Sequence, residues 1–306
     1  MQDHNLLVVL GPTASGKTRL AVQLAKHFHG EIISADSRQV YRGLDIGSGK
    51  DLEEYGDVPY HLIDIVDPGY EFSVYDFQQR FLEVFCRLST KPDTLPILAG
   101  GTGLYLNAAL KGYRLIPVPE NPELRQQLAK NSDTELVQHL KQLKPNTHNS
   151  TDLLDRNRTL RAIEIAEGEQ SAQASMTPLP AITPFIFGIH WDRTALRQRI
   201  TTRLKERLSN GLIEEVESLH SSGVSWATFN FYGLEYRFVS QYLQGQLNRN
   251  DLFQKLNSAI HQFAKKQDTW FRRMERDGLK IHWLEGAGDV VSQALSYCST
   301  TQNSIT

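Results

Sequence analysis

The sequence predicts an α/β fold in which a parallel sheet is flanked by helices and interrupted by a mostly helical insertion. Three observations predict it. Short apolar runs at Leu6–Leu10, Ile32–Ala35, Leu95–Ala99 and Pro184–Ile189 suit buried parallel strands. The first run passes into Gly11-Pro12-Thr13-Ala14-Ser15-Gly16-Lys17-Thr18, followed by a helical pattern with Leu20, Ala21, Leu24 and Ala25 on one face. Strand, glycine loop and helix start in that order form a P-loop, and with it a P-loop NTPase-like sheet. Finally, Pro117, Pro119 and Pro122 break the pattern, and short amphipathic helices follow. The domains expected are a core of residues 1–114 and 181–290, a helical insertion at 115–180, and a flexible tail at 291–306.

Composition narrows the classes. The chain has 306 residues, 40% hydrophobic and 22% charged, enough to build a core of one large or two modest domains. A net charge of −2 argues against a protein that is basic throughout but leaves room for a local basic face. Cys86 and Cys298 stand far apart without partners at metal spacing, so they read as free thiols of a reducing compartment. No signal peptide fits ahead of the first strand, and no apolar run approaches the ~20 residues of a membrane helix. A soluble, cytoplasmic protein is expected.

Each element then follows in order. In the P-loop the glycines let backbone N–H groups turn inward, and the helix N-terminus adds positive potential for phosphate oxygens. Lys17 is placed to reach the terminal phosphates and the Thr18 hydroxyl to bind Mg²⁺. The next strand delivers Asp36 to its C-terminal end, the ligand edge of a doubly wound sheet. Asp36 reads as a catalytic or Mg²⁺-binding carboxylate, with a turn or N-cap carboxylate as the alternative. Arg38 to Lys50 is a polar, basic, glycine-rich loop suited to a polyanion or a base edge, or else simply solvated. Tyr60–Val66 is a further apolar run, and Phe77, Phe81, Val84, Phe85 and Leu88 form the apolar face of a helix.

Leu95–Ala99 runs into a second glycine turn, Gly100-Gly101-Thr102-Gly103, which opens a helix. Thr102 offers a hydroxyl and neighbouring N–H groups for a second phosphate or a developing negative charge. This strand does not end in the aspartate with which P-loop ATPases hold Mg²⁺, which counts against ordinary nucleotide hydrolysis. In the insertion, helices carry Leu124 and Leu128, then Leu136, Val137, Leu140 and Leu143. A third, from Asp155, turns Leu160, Ile163 and Ile165 inward, while Arg158 and Arg161 share a face. A polar joint is expected from Gly168 to Ser175. Beyond the insertion, Asp192 or Thr194 caps a helix with Leu196, Ile200, Leu204 and Leu208 inward and Arg193, Arg197, Arg199, Arg203, Lys205 and Arg207 outward. Near the end, 251–276 is helical with Leu252, Leu256, Ile260, Phe263, Trp270 and Met274 on one face and Lys265, Lys266, Arg272, Arg273 and Arg276 crowding its second half. Either charge run can be a solvated face; two in a chain of net charge −2 point to a segregated basic surface.

In these pieces the chain resembles the tRNA dimethylallyltransferases, also called tRNA isopentenyltransferases or the IPP transferase family. The resemblance rests on Gly11–Thr18, Ser34–Tyr41 with Gly43, Asp45, Ile46 and Gly47, His61–Asp64 with Asp67-Pro68, Gly100–Tyr105, Asn157-Arg158 with Arg161–Glu164, and Ala264–Gln267 with Thr269-Trp270. It implies transfer of a dimethylallyl group from its diphosphate to the exocyclic amine of the adenine 3′ of a tRNA anticodon. The P-loop would then hold the prenyl diphosphate rather than ATP. Asp36 would be the general base, and Lys17, Mg²⁺ on Thr18, the P-loop amides and Thr102 would stabilise the leaving diphosphate. Asp36, Ser37, Arg38, Gln39 and Thr102 would meet the flipped base and its neighbours, and Arg158, Thr159, Leu160, Arg161 and Ala162 with both basic helices would grip the tRNA backbone. The anticodon stem-loop and dimethylallyl diphosphate would be the partners of a monomeric enzyme. The chain lacks the C-terminal zinc finger of eukaryotic relatives, which suggests a bacterial or organellar type.

Two stretches depart from the family pattern. Where many members have glycine-tyrosine-lysine/arginine-glutamate, the nearest stretch in this chain is Phe231-Tyr232-Gly233-Leu234-Glu235-Tyr236-Arg237, and no contact carries over. Gly47-Ser48-Gly49-Lys50 differs from the commoner threonine-alanine-lysine version, which leaves the role of Lys50 open. Three rivals stand beside the family reading: a small-molecule P-loop kinase with Arg158 and Arg161 as lid arginines, a prenyltransferase of free adenine nucleotides, and a non-catalytic RNA-binding protein. The intact Lys17, Thr18, Asp36 and Thr102 speak against the last.

Overall fold

Leu6–Leu10 is buried along its whole length, which a strand needs when both of its faces are covered. It lies at the heart of a parallel sheet. The computed structural model describes residues 4–112, 115, 118–144, 156–172 and 179–300. In chain order these form β1 (Leu6–Leu10), α1 (Lys17–Phe28), β2 (Glu31–Ala35), β3 (Tyr60–His61), α2 (Val74–Ser89), β4 (Pro96–Gly100) and α3 (Gly103–Leu110). Then come α4 (Pro122–Leu128), α5 (Asp133–Leu143), α6 (Arg156–Ala172), β5 (Pro184–His190), α7 (Arg193–Ser209), α8 (Leu212–Ser221) and α9 (Trp226–Phe229). The chain continues through α10 (Leu234–Leu243), α11 (Arg249–Arg276), β6 (Ile281–Glu285) and α12 (Val290–Thr300).

The sheet runs β3-β2-β4-β1-β5-β6, parallel throughout. Alternation along β1 divides the core: Leu6, Val8 and Leu10 join the cluster under α2, α3, α7, α8, α10 and α11, whereas Leu7 and Val9 join the one under α1 and α12. The apolar face read for α2 is the one buried, and the helix starts in a capping box between Ser73 and Asp76. Asp192, not Thr194, caps α7 and accepts from the amides of Thr194 and Ala195.

Register positions the site. Leu10 of β1 and Ala35 of β2 both pair with Gly100 of β4. The three strands therefore end level, and the loops that follow them leave from one edge of the sheet.

The chain divides into two compact units, Met1–Tyr113 with Pro180–Thr306, and Arg114–Leu179. The second has its own core of Leu128, Leu136, Leu140, Ile163 and Ala166. Its buried Glu164 accepts from Arg125, Arg161 and the amide of Asn121.

Several expectations need correction. The tail expected from 291 is helical to Thr300, because Val290, Val291, Ala294, Leu295 and Cys298 pack on the α1 face of the sheet. The joint expected from Gly168 is still helix α6 to Ala172. A side chain at Gly168 would come within 2.7 Å of Val118, so this glycine serves close packing. Phe263 is not on the buried seam of α11, which runs through Leu252, Leu256, Ile260, Ala264, Gln267, Phe271 and Met274; Phe263 is 44% exposed. Strand β6 went unread. Asp155, Pro117, residues 173–178 and the tail from 301 lie outside the described residues. Among the described residues no helix is long and apolar enough to cross a membrane, and both cysteines are free.

Candidate active site

The three level strand ends open into a cavity of about 1430 Å³. Thr13, Ala14, Gly16, Lys17 and Thr18 line one wall, and Asp36, Ser37, Arg38 and Thr102 another. The P-loop is held open from behind. Trp191 Nε1 donates to the Ser15 carbonyl at 3.0 Å, Arg199 Nε donates to the Ala14 carbonyl at 2.8 Å, and the Arg199 guanidinium lies 4.3 Å from the centre of the Trp191 ring. Gly16 sits at φ 90°, a left-handed conformation that glycine adopts without steric cost. The amides of Ala14, Gly16, Lys17 and Thr18 have no hydrogen-bond partner among the described residues. Unpaired amides at a helix N-terminus are an anion site.

A buried glutamine ties this loop to the second glycine turn. Gln267 of α11 accepts from the Thr13 amide at 2.9 Å and donates to the Gly101 carbonyl at 2.9 Å. The turn cannot be bulkier: a side chain at Gly103 would fall inside the Trp270 indole, and one at Gly101 would strike Gln267. Sequence reasoning gave Gln267 no role, although it lies within a stretch that matched the family.

Asp36 lies beside Thr102. Asp36 Oδ1 accepts from the Arg38 amide at 2.9 Å, Thr102 Oγ1 accepts from the Ser37 amide at 3.1 Å, and the Thr102 amide donates to the Ala35 carbonyl at 3.2 Å. Asp36 Oδ2 has no partner among the described residues and stays available as a proton acceptor. Arg38 reaches over the exposed ring of Phe231 at 5.2 Å. Gln39 also lines the cavity, though most of its side chain is buried. It accepts from Ser34 Oγ at 2.8 Å and donates to the Gly49 carbonyl at 3.0 Å, which orders the following loop.

The same loop answers the question of Lys50. Its buried ammonium donates to the Tyr41 carbonyl at 2.8 Å and pairs with the carboxylates of Asp45 and Asp64. Lys50 is a cross-link beneath the loop. Glu215 completes it by accepting from the amides of Asp45, Ile46 and Gly47, while Tyr236 donates its hydroxyl proton to Glu215 at 2.7 Å.

Positive charge gathers at the P-loop. Arg199, Arg203 and Arg207, four residues apart on α7, all line the cavity, and Arg203 pairs with Asp51. Arg203 and Arg207 are half-buried there, whereas Arg199 is exposed, as are Arg193, Arg197 and Lys205, which do not line the cavity. Burial, helped by Arg203 and Arg207, outweighs the carboxylate of Asp36 and draws Lys17 down to about 8. Thr18 supplies one hydroxyl, and no group of three or more His, Cys, Asp or Glu among the described residues is placed to hold a metal. Such a donor set fits only a hard cation that draws most of its oxygen ligands from elsewhere, and Thr18 is the residue whose hydroxyl would reach it.

The insertion residues named for tRNA lie in the second unit. Thr159 is buried, and Leu160 and Ala162 pack against that unit's core. Arg161 donates to the Val118 and Pro119 carbonyls and to Glu164. Thr159 thus faces inward, Leu160 and Ala162 pack on the core, and Arg161 braces residues 118–119; Arg158 is exposed.

Comparison with known proteins agrees with this geometry. The family model described as IPP transferase matches residues 39–274, and that of isopentenyl transferase matches residues 4–56. A tRNA dimethylallyltransferase 1 of Geotalea daltonii is 62% identical over 96% of this chain and 95% of its own length. A tRNA dimethylallyltransferase 2 of Syntrophotalea carbinolica is 63% identical over 93% and 95%. The crystal structure of a tRNA isopentenylpyrophosphate transferase from Bacillus halodurans superposes with a TM-score of 0.71 at 30% identity, covering 98% of this chain and 96% of that one. With a cavity that pairs an anion cradle with a carboxylate, and a family match across most of its length, the chain belongs to the IPP transferase family of tRNA-modifying transferases.

Proposed function

We propose that this cavity transfers the dimethylallyl group of dimethylallyl diphosphate to the N6 amine of the adenosine 3′ of the anticodon in tRNA, releasing diphosphate. One observation carries the reading: unpartnered P-loop amides and Lys17 share a single cavity with Asp36 and Thr102. The names of the relatives, tRNA dimethylallyltransferases over nearly their full length, support it.

The chemistry asks for both walls. The C1–O bond of the donor breaks and its electrons leave on diphosphate. The N6 lone pair forms the new C–N bond, and the amine proton passes to Asp36. An adenine amine is a weak nucleophile because its lone pair is delocalised into the ring, so Asp36 as general base answers the acceptor's need. The P-loop amides, Lys17 and Thr102 meet the charge that builds on the leaving group. Mg²⁺ on Thr18, when bound, would neutralise further phosphate charge. The target base must leave its stack to reach the cavity. Ser37 and Arg38 then meet the base and its neighbours, and Gln39 orders the loop that presents them. Arg158 of the insertion and the exposed Lys265, Lys266, Arg272 and Arg276 of α11 offer charge to the phosphate backbone. The enzyme acts as a monomer in the cytoplasm, where its substrate lies.

The test is incubation with radiolabelled dimethylallyl diphosphate and unmodified tRNA, followed by nuclease digestion. Label on N6 of the adenosine following the anticodon is expected. Label only on free adenine nucleotides would move the assignment to that substrate. A melting temperature raised by ATP and not by dimethylallyl diphosphate would move it to a kinase.

A further inference from the structure

The two stretches that depart from the family pattern, Gly47–Lys50 and Gly233–Arg237, meet at one side chain. Arg207, on the last turns of α7, reaches the backbone of Gly49. A Cβ built on Gly49 would collide with the Arg207 guanidinium and stand 2.6 Å from Arg203 Nη2. Gly49 holds a left-handed φ of 66°, and its carbonyl is fixed by Gln39. On its other side Arg207 Nη1 lies 3.6 Å from Glu235 Oε1, at the start of α10.

Arg207 is a guanidinium with unusual needs. Its side chain is only 12% exposed, yet none of its N–H groups donates a hydrogen bond among the described residues, and the Glu235 contact is too long to be one. What exposure it has opens onto the cavity that holds Lys17 and Arg203. Five donors in a planar fork match two phosphate oxygens, and a mostly buried charge without hydrogen bonds is costly unless an anion joins it. Three cations crowded together likewise repel until a polyanion arrives. Asp51 pairs with Arg203 and Glu235 faces Arg207, yet neither carboxylate accepts a hydrogen bond from the Arg207 guanidinium among the described residues.

We propose that Arg207 is a further guanidinium contact for the donor's diphosphate, seated in the space left by the missing side chain at Gly49 and aimed by Glu235. The proposal rests on reading the cavity as the prenyl diphosphate site. It also explains both departures together: Gly49 must lack a side chain because Arg207 occupies that volume, and residue 235 must be acidic because it faces Arg207.

Three variants test it, with direct calorimetric binding of inorganic diphosphate and of dimethylallyl diphosphate in the absence of tRNA, alongside steady-state kinetics. Arg207→Met is expected to weaken both ligands by about tenfold or more, with KM for tRNA unmoved. Gly49→Ala, which fills the seat, is expected to weaken them similarly. On the Arg207→Met background it should add nothing, because the two changes remove the same contact. Arg207→Lys keeps charge and most of the volume, and should recover part of the affinity lost by Met. The proposal is overturned if Arg207→Met leaves diphosphate affinity unchanged, if KM for tRNA moves instead, if the Met and Ala effects add, or if Lys recovers nothing in a variant that melts like the parent. A parent protein that binds diphosphate but never labels tRNA would overturn the transfer reading and leave Arg207 in place.

Discussion

Asp36 is held by the backbone amide of Arg38 through Oδ1, which orients its carboxylate and leaves Oδ2 without a partner among the described residues. Asp36→Ala should reduce prenyl transfer by about 10²- to 10⁴-fold, the usual worth of a general base, while tRNA binding in a filter assay largely survives. Full transfer by this variant would sink the assignment. Lys17 supplies the second residue-scale prediction. Its ammonium is drawn down to about 8 in the free protein, chiefly by burial. Diphosphate binds the protonated form and so raises that value in the complex. KM for the donor should therefore be flat below pH 8 and climb above it, while kcat, which reports the loaded enzyme, holds to higher pH. A donor KM unchanged between pH 7 and about 9.5 would show that Lys17 is not the titrating contact.

At the scale of elements, α11 governs the distance between the two walls, since Gln267 alone bridges Thr13 and Gly101 among the described residues. Gln267→Ala would leave the part-buried Thr13 amide and the buried Gly101 carbonyl without these partners. A loss of about 1–3 kcal/mol in urea unfolding is expected, together with a raised KM for the donor. A variant as stable as the parent would mean that water replaces the glutamine. This element also shows where legibility ended. The P-loop, Asp36 and the Gly100–Gly103 turn were readable because each follows its own strand, and a parallel sheet ends all its strands at one edge. Phe263 was misplaced because size suggested burial, whereas the seam passes through the small Ala264 and the polar Gln267. Gln267 and Arg207 act on residues more than 150 positions away in the chain, and no local spacing announces such a contact. Strand β6 was missed because Ile281-His282-Trp283-Leu284 has only its ends fully buried, at the sheet's edge.

The whole molecule is a net −2 chain that sequesters part of its positive charge in the cavity and displays the rest outside. tRNA affinity should fall linearly on a log–log plot against salt, and Arg158→Ala should flatten the slope by about 0.7 to 0.9 if that residue contacts one phosphate. An unchanged slope would remove Arg158 from the interface. The topology carries a consequence of another kind. The central strand β1 lies between β4 and β5, and β5 is encoded only after the whole of the Arg114–Leu179 unit. On a ribosome, then, the middle of the sheet stays open on one side while that unit, which has its own apolar cluster, emerges complete. The inserted piece is the first that can close its core during synthesis, and the nascent P-loop waits, with β1 half-paired, for a strand more than 170 residues downstream of its own.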